Sequence, residues 1–183
     1  MKRVLVVIDM QNDFIDGILG TAEAVKIVPK VLAKIKEYEK YMVYFTKDTH
    51  FSDYLQTQEG RNLPVEHCIR GTKGWELQHD IEAYVERLQQ QHLQPIVFEK
   101  TTFGSEQLPQ TIKNSLLQGD QVEIELVGLC TDICVISNAM LLKAFLPEAI
   151  IKVDAQCCAG VTKQSHINAL NAMKMCQIQI YNE

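Results

Sequence analysis

The sequence of 183 residues has no long hydrophobic run and no cluster of basic residues. A membrane-spanning helix needs roughly 20 consecutive apolar residues, and no apolar run here approaches that length. Proteins that bind nucleic acid place cationic side chains along the phosphate chain. Here 18 Lys and Arg are outnumbered by 23 Asp and Glu, which gives a net charge of −5. The sequence therefore predicts neither a membrane partner nor a nucleic-acid partner.

A signal peptide and a disulfide framework are also not expected. The apolar run at residues 4–8 is followed at once by Asp9, which is too early for the apolar part of a secretory signal. Six cysteines in a chain of this size, without such a signal, indicate reduced thiols. We therefore expect a cytoplasmic protein.

Short apolar runs alternate with amphipathic segments along the chain. The runs are rich in β-branched residues, as in strands buried on both faces, and the segments between them have the apolar spacing of helices. Strands are predicted at residues 4–8, 42–45, 95–98, 122–127, 149–153 and 178–181. Helices are predicted at residues 21–38, 75–89, 106–117, 131–145 and 162–175. The alternation predicts one α/β domain over residues 1–183, with a parallel sheet and helices on both sides.

Side chains that can carry chemistry follow four of the predicted strands. Asp9 follows the first strand, Asp48 and His50 the second, Lys100 the third and the segment at residues 128–134 the fourth. Ligands of open parallel sheets bind beyond the carboxyl ends of the strands, near the point where the strand order reverses. We therefore expect these side chains to meet at one edge of the sheet.

Cys134 is the candidate nucleophile. Gly128 follows a buried strand and Thr131 fits a helix N-cap, so Cys134 is expected in the first turn of a helix. At that place the helix dipole and unpaired N–H groups favour a thiolate and can hold an oxyanion. A structural thiol, buried like Cys130, is an equally good interpretation of the position alone.

Asp9 and Lys100 are the candidate partners of this cysteine. Burial at the end of a strand would raise the pKa of Asp9, which suits a group that accepts and returns a proton. A lysine that leaves a buried strand needs an anionic partner. The alternatives are a turn carboxylate for Asp9 and a surface lysine for Lys100. If the two meet Cys134, the ammonium offsets the effect of the carboxylate on the thiol.

Asp48, His50 and His67 offer one carboxylate and two imidazoles, which is a ligand set for a catalytic or substrate-orienting metal ion. The alternative is a group of solvated loop side chains. Phe14, Trp75 and Phe103 are candidates for an aromatic substrate wall, although core packing is the alternative for Trp75. Leu129, in the segment that follows the fourth predicted strand, is a further candidate for substrate contact.

Several segments, taken together, resemble the isochorismatase-like cysteine hydrolases, and within them the nicotinamidases. The segments are residues 6–14 (VVIDMQNDF), 48–50 (DTH), 64–74 (PVEHCIRGTKG) and 128–135 (GLCTDICV), with Lys100 before the last one. The resemblance implies a three-layer Rossmann-like fold with a six-stranded parallel sheet. It implies that Asp9, Lys100 and Cys134 are catalytic, that the backbone N–H groups of Cys130 and Cys134 form an oxyanion hole, and that a cis peptide precedes Cys130.

The resemblance also implies a divalent metal ion, commonly zinc, bound by Asp48, His50 and His67. Glu59 or a water molecule would be the fourth ligand, and the pyridine nitrogen of nicotinamide would contact the metal. Leu63 stands where the nicotinamidase pattern has an aromatic residue. The predicted function is therefore hydrolysis of a small carboxamide through a thioester, with nicotinamide as the first choice of substrate. The alternatives are a metal-independent amidase for another small amide or an N-carbamoyl or ureido compound, and a non-catalytic small-molecule-binding or scaffold protein. A homo-oligomer is compatible with the predicted fold, because such folds often pair through exposed helices.

Overall fold

The computed structural model describes residues 1–90 and 97–183, and its centre is a six-stranded parallel sheet. The strands are β1 (Lys2–Ile8), β2 (Met42–Asp48), β3 (Val97–Lys100), β4 (Val122–Leu129), β5 (Ile150–Ala159) and β6 (Gln179–Tyr181). Their order is β3-β2-β1-β4-β5-β6, so the direction of strand addition reverses between β1 and β4. The predicted sheet is confirmed, while residues 95 and 96 of the predicted third strand lie outside the described residues.

Helices cover both sides of this sheet. They are α1 (Asn12–Ile15), α2 (Ala22–Glu37), α3 (Gln58–Asn62), α4 (His79–Gln90), α5 (Gln107–Asn114), α6 (Ile136–Phe145) and α7 (Lys163–Met175). A 3₁₀ turn at Tyr54–Gln56 precedes α3, and a π-helical turn at Thr131–Val135 precedes α6. In the part of the chain that is described, no helix combines the length and the apolar character needed to cross a membrane.

Threonine residues cap the N-termini of helices α2 and α7, close to the starts that the sequence predicts. The Thr21 hydroxyl accepts a hydrogen bond from the backbone N–H of Ala24, and Thr162 forms a reciprocal capping box with Ser165. Such caps satisfy N–H groups that have no partner inside the helix. The starts of α2 and α7 therefore agree with the sequence-based prediction to within one residue.

The helix predicted at residues 75–89 corresponds to α4. Its predicted start at Trp75 is wrong, because α4 begins at His79. The backbone before His79 is held by the segment that follows β1. Leu77 forms an antiparallel bridge with Gln11, and the N–H of Gln78 donates to the carbonyl of Met10. These tertiary contacts keep residues 75–78 out of the helix and place Trp75 in a loop.

A buried ionic network lies on β4. Glu123 contacts Arg3 of β1 at 3.3 Å and Lys152 of β5. Glu125, one pleat further along, contacts Lys34 of α2 at 3.0 Å. Since β-strand side chains two residues apart share a face, both carboxylates lie on one face of β4. Their cations come from the neighbouring strands and α2, so the network ties these elements together.

Gly128 lies at the point where the strand order reverses. It has a φ of +120°, and a Cβ atom there would lie 2.1 Å from the carbonyl oxygen of Ile8. No side chain fits at that distance, so only glycine allows β1 and β4 to approach this closely. The close approach brings the residue after β1, Asp9, beside the segment that follows β4.

Candidate active site

Asp9, Lys100 and Cys134 meet at the carboxyl edge of the sheet. The Lys100 ammonium lies 2.7 Å from Oδ2 of Asp9 and 3.5 Å from Sγ of Cys134. All three residues are buried, with exposed fractions of 0% for Asp9, 5% for Lys100 and 4% for Cys134. The sequence placed these residues on three separate segments, and the structure brings them into one cluster.

Thr46 of β2 orients Asp9. Its hydroxyl donates a 2.6 Å hydrogen bond to Oδ1 of Asp9 and accepts one from the Asp9 backbone N–H at 3.2 Å. Asp9 itself has a φ of +45°, in the left-handed region. Because Thr46 occupies Oδ1, the other oxygen of Asp9 is the one directed at Lys100.

Burial and charge together set the protonation of this cluster. Burial raises the pKa of the Cys134 thiol well above its ordinary value, although the Lys100 ammonium opposes the shift. Burial also raises the pKa of Asp9, again against the effect of Lys100. Burial alone would lower the pKa of Lys100, but the nearby Asp9, Cys134 and Asp48 raise it. Lys100 therefore stays charged, and the cysteine rests as a thiol with a potential base beside it.

This electrostatic balance differs from the thiolate that a helix N-terminus alone predicts. Cys134 lies within the π-helical turn, whose N–H groups at Ile133 and Val135 donate to the carbonyl of Cys130. Asn138 donates to the carbonyl of Cys134 at 2.8 Å. The peptide bond between Leu129 and Cys130 is cis. The turn thus fixes the position of the sulfur, while burial outweighs the dipole in setting its pKa.

The predicted metal ligands form a second cluster beside the first. One ligand atom each from Asp48, His50, Glu59 and His67 lie within 4.8 Å of one another. Asp48 Oδ2 is 3.1 Å from Nε2 of His50 and 3.6 Å from Nε2 of His67. Nδ1 of His67 contacts the Val65 carbonyl at 2.8 Å, so its other nitrogen faces the cluster. Two imidazoles and two carboxylates at this spacing fit a transition-metal site.

Asp48 connects the two clusters electrostatically. Its other oxygen, Oδ1, lies 3.4 Å from the Lys100 ammonium. Burial would raise the pKa of this carboxyl, but hydrogen bonds from His50 and His67 and the charge of Lys100 lower it. Asp48 is therefore an ionised carboxylate shared between the lysine and the imidazoles.

Gln11 holds the backbone of Asp48. Its Nε2 donates to the Asp48 carbonyl at 2.8 Å, and its Oε1 accepts from the Asp48 N–H at 2.7 Å. The same nitrogen also donates to the carbonyl of Trp75 at 2.9 Å. This buried amide is satisfied on both of its polar ends, as buried polar groups require, and it fixes the strand end that carries Asp48.

A cavity of about 430 Å³ opens onto both clusters. Phe14, Phe103 and Leu129, which the sequence suggested as substrate contacts, line it. Phe14 also packs against the His67 ring, with centroids 5.6 Å apart. Further lining residues are Leu19, Thr21, Ala24, Asp48, Glu59, Asn62, Leu63, His67, Cys130, Ile133, Cys134, Gly160 and Val161.

The structure places Trp75 away from this cavity, among whose described lining residues it does not appear. Its ring lies under the Lys47 ammonium, 3.3 Å from the ring centroid, and its Nε1 donates to the Thr49 hydroxyl at 2.9 Å. Trp75 thus packs against the end of β2, where Asp48 lies. Its position fits the structural alternative rather than a substrate wall.

Sequence reasoning missed Thr46, Gln11 and the apolar wall formed by Leu19, Ile133 and Val161. A hydroxyl inside an otherwise apolar strand was the available signal for Thr46, because buried polar groups need partners. The wall residues carry no such signal. They come from separate loops and turns, and only the fold brings them together.

Comparisons with known proteins identify the family and agree with the fold. The model of the isochorismatase domain family matches residues 3–182. An uncharacterized isochorismatase family protein PncA of Bacillus subtilis is 31% identical over 180 residues, covering 93% of each chain. The nicotinamidase/pyrazinamidase of Mycobacterium tuberculosis is 24% identical, covering 97% of each. The crystal structure of a pyrazinamidase of Pyrococcus horikoshii in complex with zinc superimposes with a TM-score of 0.77 at 22% identity, covering both chains completely.

Proposed function

The chain belongs to the isochorismatase domain family, and from this premise we propose that it is a cysteine amidohydrolase that converts a small neutral carboxamide to the acid and ammonia. The observation that carries the proposal is the contact of one ammonium with both a carboxylate and a thiol in a buried cluster at the end of a cavity. The nicotinamidase/pyrazinamidase relative supports the reaction class. We take the unit that performs it to be a single domain over residues 1–183.

In the proposed mechanism, Asp9 takes the proton of the Cys134 thiol as the sulfur attacks the amide carbon. The backbone N–H groups of Cys130 and Cys134 stabilise the resulting oxyanion. Asp9 then gives the proton to the leaving nitrogen, the carbon–nitrogen bond breaks, and ammonia departs from a thioester on Cys134. Asp9 next accepts a proton from water, whose oxygen attacks the thioester. The carbon–sulfur bond then breaks, Asp9 returns the proton to the sulfur, and the acid leaves. Lys100 stabilises the negative charge on Asp9 and sulfur throughout.

The second cluster supports a divalent metal ion as cofactor, most simply zinc. Asp48, His50 and His67 would bind it, and Glu59 is the best available fourth ligand, with water as the alternative. When bound, such an ion would supply a Lewis acid for a ring nitrogen of the substrate. The zinc complex of the Pyrococcus horikoshii pyrazinamidase supports the choice of metal.

The cavity favours a neutral, flat amide over a charged one. Its wall is largely apolar, and the only charged side chains among its described lining residues are the acidic Asp48 and Glu59. A substrate with its own carboxylate, such as an N-carbamoyl amino acid, would find no lysine or arginine among these lining residues to pair with its charge. Nicotinamide, which yields nicotinate, carries no charge and offers a ring nitrogen. It is therefore the proposed substrate, and an N-carbamoyl compound is the second candidate.

Ammonia release from nicotinamide and from an N-carbamoyl amino acid tests the proposal. We expect the wild-type protein loaded with zinc to act on nicotinamide in preference, and the Cys134→Ala variant to lose at least about 10³-fold in kcat/KM, as for other nucleophile removals. Circular dichroism and zinc content would verify that this variant is folded and loaded. Equal rates for the two proteins would show that the mechanism is wrong, and preference for the N-carbamoyl compound would reassign the substrate.

A further inference from the structure

Tyr54 is completely buried beside the two histidines of the metal cluster, although the mechanism gives it no role. It lies in the 3₁₀ turn that follows β2. The centroid of its ring is 4.6 Å from that of His50 and 5.1 Å from that of His67, and both ring pairs are tilted or edge-on. These are favourable geometries for aromatic pairs. The phenol ring therefore restricts how both imidazoles can rotate.

The other end of Tyr54 fixes the cavity wall. Its hydroxyl donates a 2.9 Å hydrogen bond to the carbonyl of Leu63, the residue directly after α3. Leu63 lines the substrate cavity and stands where the nicotinamidase pattern has an aromatic residue. The ring of Tyr54 thus contacts the imidazoles of His50 and His67, while its hydroxyl contacts the backbone of the cavity wall at Leu63.

The segment between Tyr54 and Leu63 is tightly packed against the backbone of Tyr54. The carbonyl of Tyr54 accepts a hydrogen bond from the Thr57 hydroxyl, which also caps α3 by accepting from the Gly60 N–H. A Cβ atom at Gly60 would lie 2.0 Å from the Tyr54 carbonyl oxygen. Helix α3 carries Glu59, the candidate fourth ligand, between these two points. Movement of Tyr54 would therefore displace α3, Glu59 and Leu63 together.

We propose that Tyr54 is a positioning residue that sets both the imidazole ligands and the Leu63 wall, and so couples metal affinity to the KM for the amide. The substrate half of this inference rests on the proposed amide substrate, and the metal half rests on the proposed metal ion. Partners that orient metal-binding imidazoles typically change metal affinity by about 10- to 100-fold when they are removed. A single neutral hydrogen bond is worth about 2- to 10-fold.

Two substitutions separate the two ends of the side chain. Tyr54→Phe keeps the ring and removes the hydroxyl, so we expect zinc affinity to stay within about 2-fold of the wild type, while KM rises about 2- to 10-fold and kcat changes less. Tyr54→Leu also removes the ring, and zinc affinity should fall by about 10-fold or more. Leu63→Ala should raise KM without changing zinc affinity.

Tyr38→Phe is the matched control. Tyr38 is also fully buried, and its hydroxyl donates to Glu125 at 2.7 Å, away from the cavity. This variant should lose stability as Tyr54→Phe does, but its KM and zinc affinity should equal those of the wild type.

Zinc affinity is measured by competition with a chromogenic chelator, which needs no turnover, and KM by ammonia release from nicotinamide. The inference is overturned if Tyr54→Leu binds zinc as tightly as Tyr54→Phe, or if Tyr54→Phe behaves like Tyr38→Phe in KM. If the wild type releases no ammonia from nicotinamide, the proposed substrate fails. The zinc measurements on the two Tyr54 variants still decide the metal half.

Discussion

The Thr46 hydroxyl and the Asp9 carboxylate are joined by a 2.6 Å hydrogen bond inside the sheet. The bond occupies one oxygen of Asp9 and leaves the other 2.7 Å from the Lys100 ammonium. A carboxylate that transfers protons at one oxygen benefits from such an arrangement, because the rotation of the group is restricted. Thr46 makes no contribution to binding in the proposed mechanism, so its effect should appear in the chemical step.

Thr46→Val replaces the hydroxyl with a methyl group of similar shape, and we expect kcat to fall by about 10-fold because Asp9 loses its fixed orientation. KM should change much less. Thr46→Ser keeps the hydroxyl and should retain most of the wild-type kcat. Ammonia release under saturating substrate measures the effect, and equal kcat values for the valine and serine variants would contradict the assignment.

Lys100→Met should destabilise the protein in addition to abolishing activity. It leaves the buried carboxylates of Asp9 and Asp48 without their shared cation, and an unpaired buried charge typically costs about 3 to 5 kcal/mol. Urea unfolding of metal-free protein measures this loss. The double variant Asp9→Asn/Lys100→Met removes one of the charges and should recover part of the stability. If Lys100→Met is as stable as the wild type, the ion pairs of Lys100 make no net contribution to the free energy of unfolding.

Glu123 should make the free energy of unfolding depend on pH in the acid range. Burial would raise its pKa, but Lys152 and Arg3 hold that pKa below the ordinary value of 4.5. A lowered folded-state pKa adds stability that is complete above the unfolded pKa and is lost as the pH falls through the folded pKa. We expect Glu123→Gln to cost about 1 to 3 kcal/mol at neutral pH, with the difference from wild type shrinking below pH 4.5.

Urea unfolding of both proteins across the acid range provides the test. Glu86→Gln is a suitable control, since Glu86 is exposed on α4. A difference between wild type and Glu123→Gln that stays constant down to the acid limit would mean that the carboxylate is not stabilised by its cations.

Two glycine substitutions should differ sharply although both residues have positive φ. Gly119→Ala, at φ +88° with open space around it, should cost about 1 kcal/mol. Gly128→Ala adds a clash with the Ile8 carbonyl and should cost more than about 4 kcal/mol, or prevent folding. Urea midpoints and soluble yield measure the difference. Similar stabilities would show that β1 and β4 can separate at this point without penalty.

The sequence was sufficient to predict the sheet and the placement of the chemistry-bearing side chains at one edge. Strands buried on both faces have apolar runs that few other structures share, and Asp9, Lys100 and Cys134 each follow such a run. The same rule places Asp48 and His50. The approach of Glu59 to the histidines depends on α3, a short helix without an apolar repeat, so only the resemblance suggested it.

Other features depend on tertiary contacts that leave no local pattern. Residues 75–78 have helical spacing but are held by Gln11 and Met10, and Trp75 consequently packs under Lys47 rather than in the cavity. The π-helical turn around Cys134 likewise has the composition of an ordinary helix start. The high pKa of its thiol follows from its burial, which the sequence indicates only indirectly.

Asp9 follows β1, Asp48 and Lys100 end β2 and β3, and Cys134 lies in the turn after β4. The pairing register of these strands aligns Ile8 with Gly128 and Asp48 with Lys100. A slip of one residue would turn every side chain of a strand to the opposite face. During renaturation from urea, a chain with only part of its sheet assembled would thus have no catalytic activity. Ammonia release should therefore recover later than the helical circular dichroism signal.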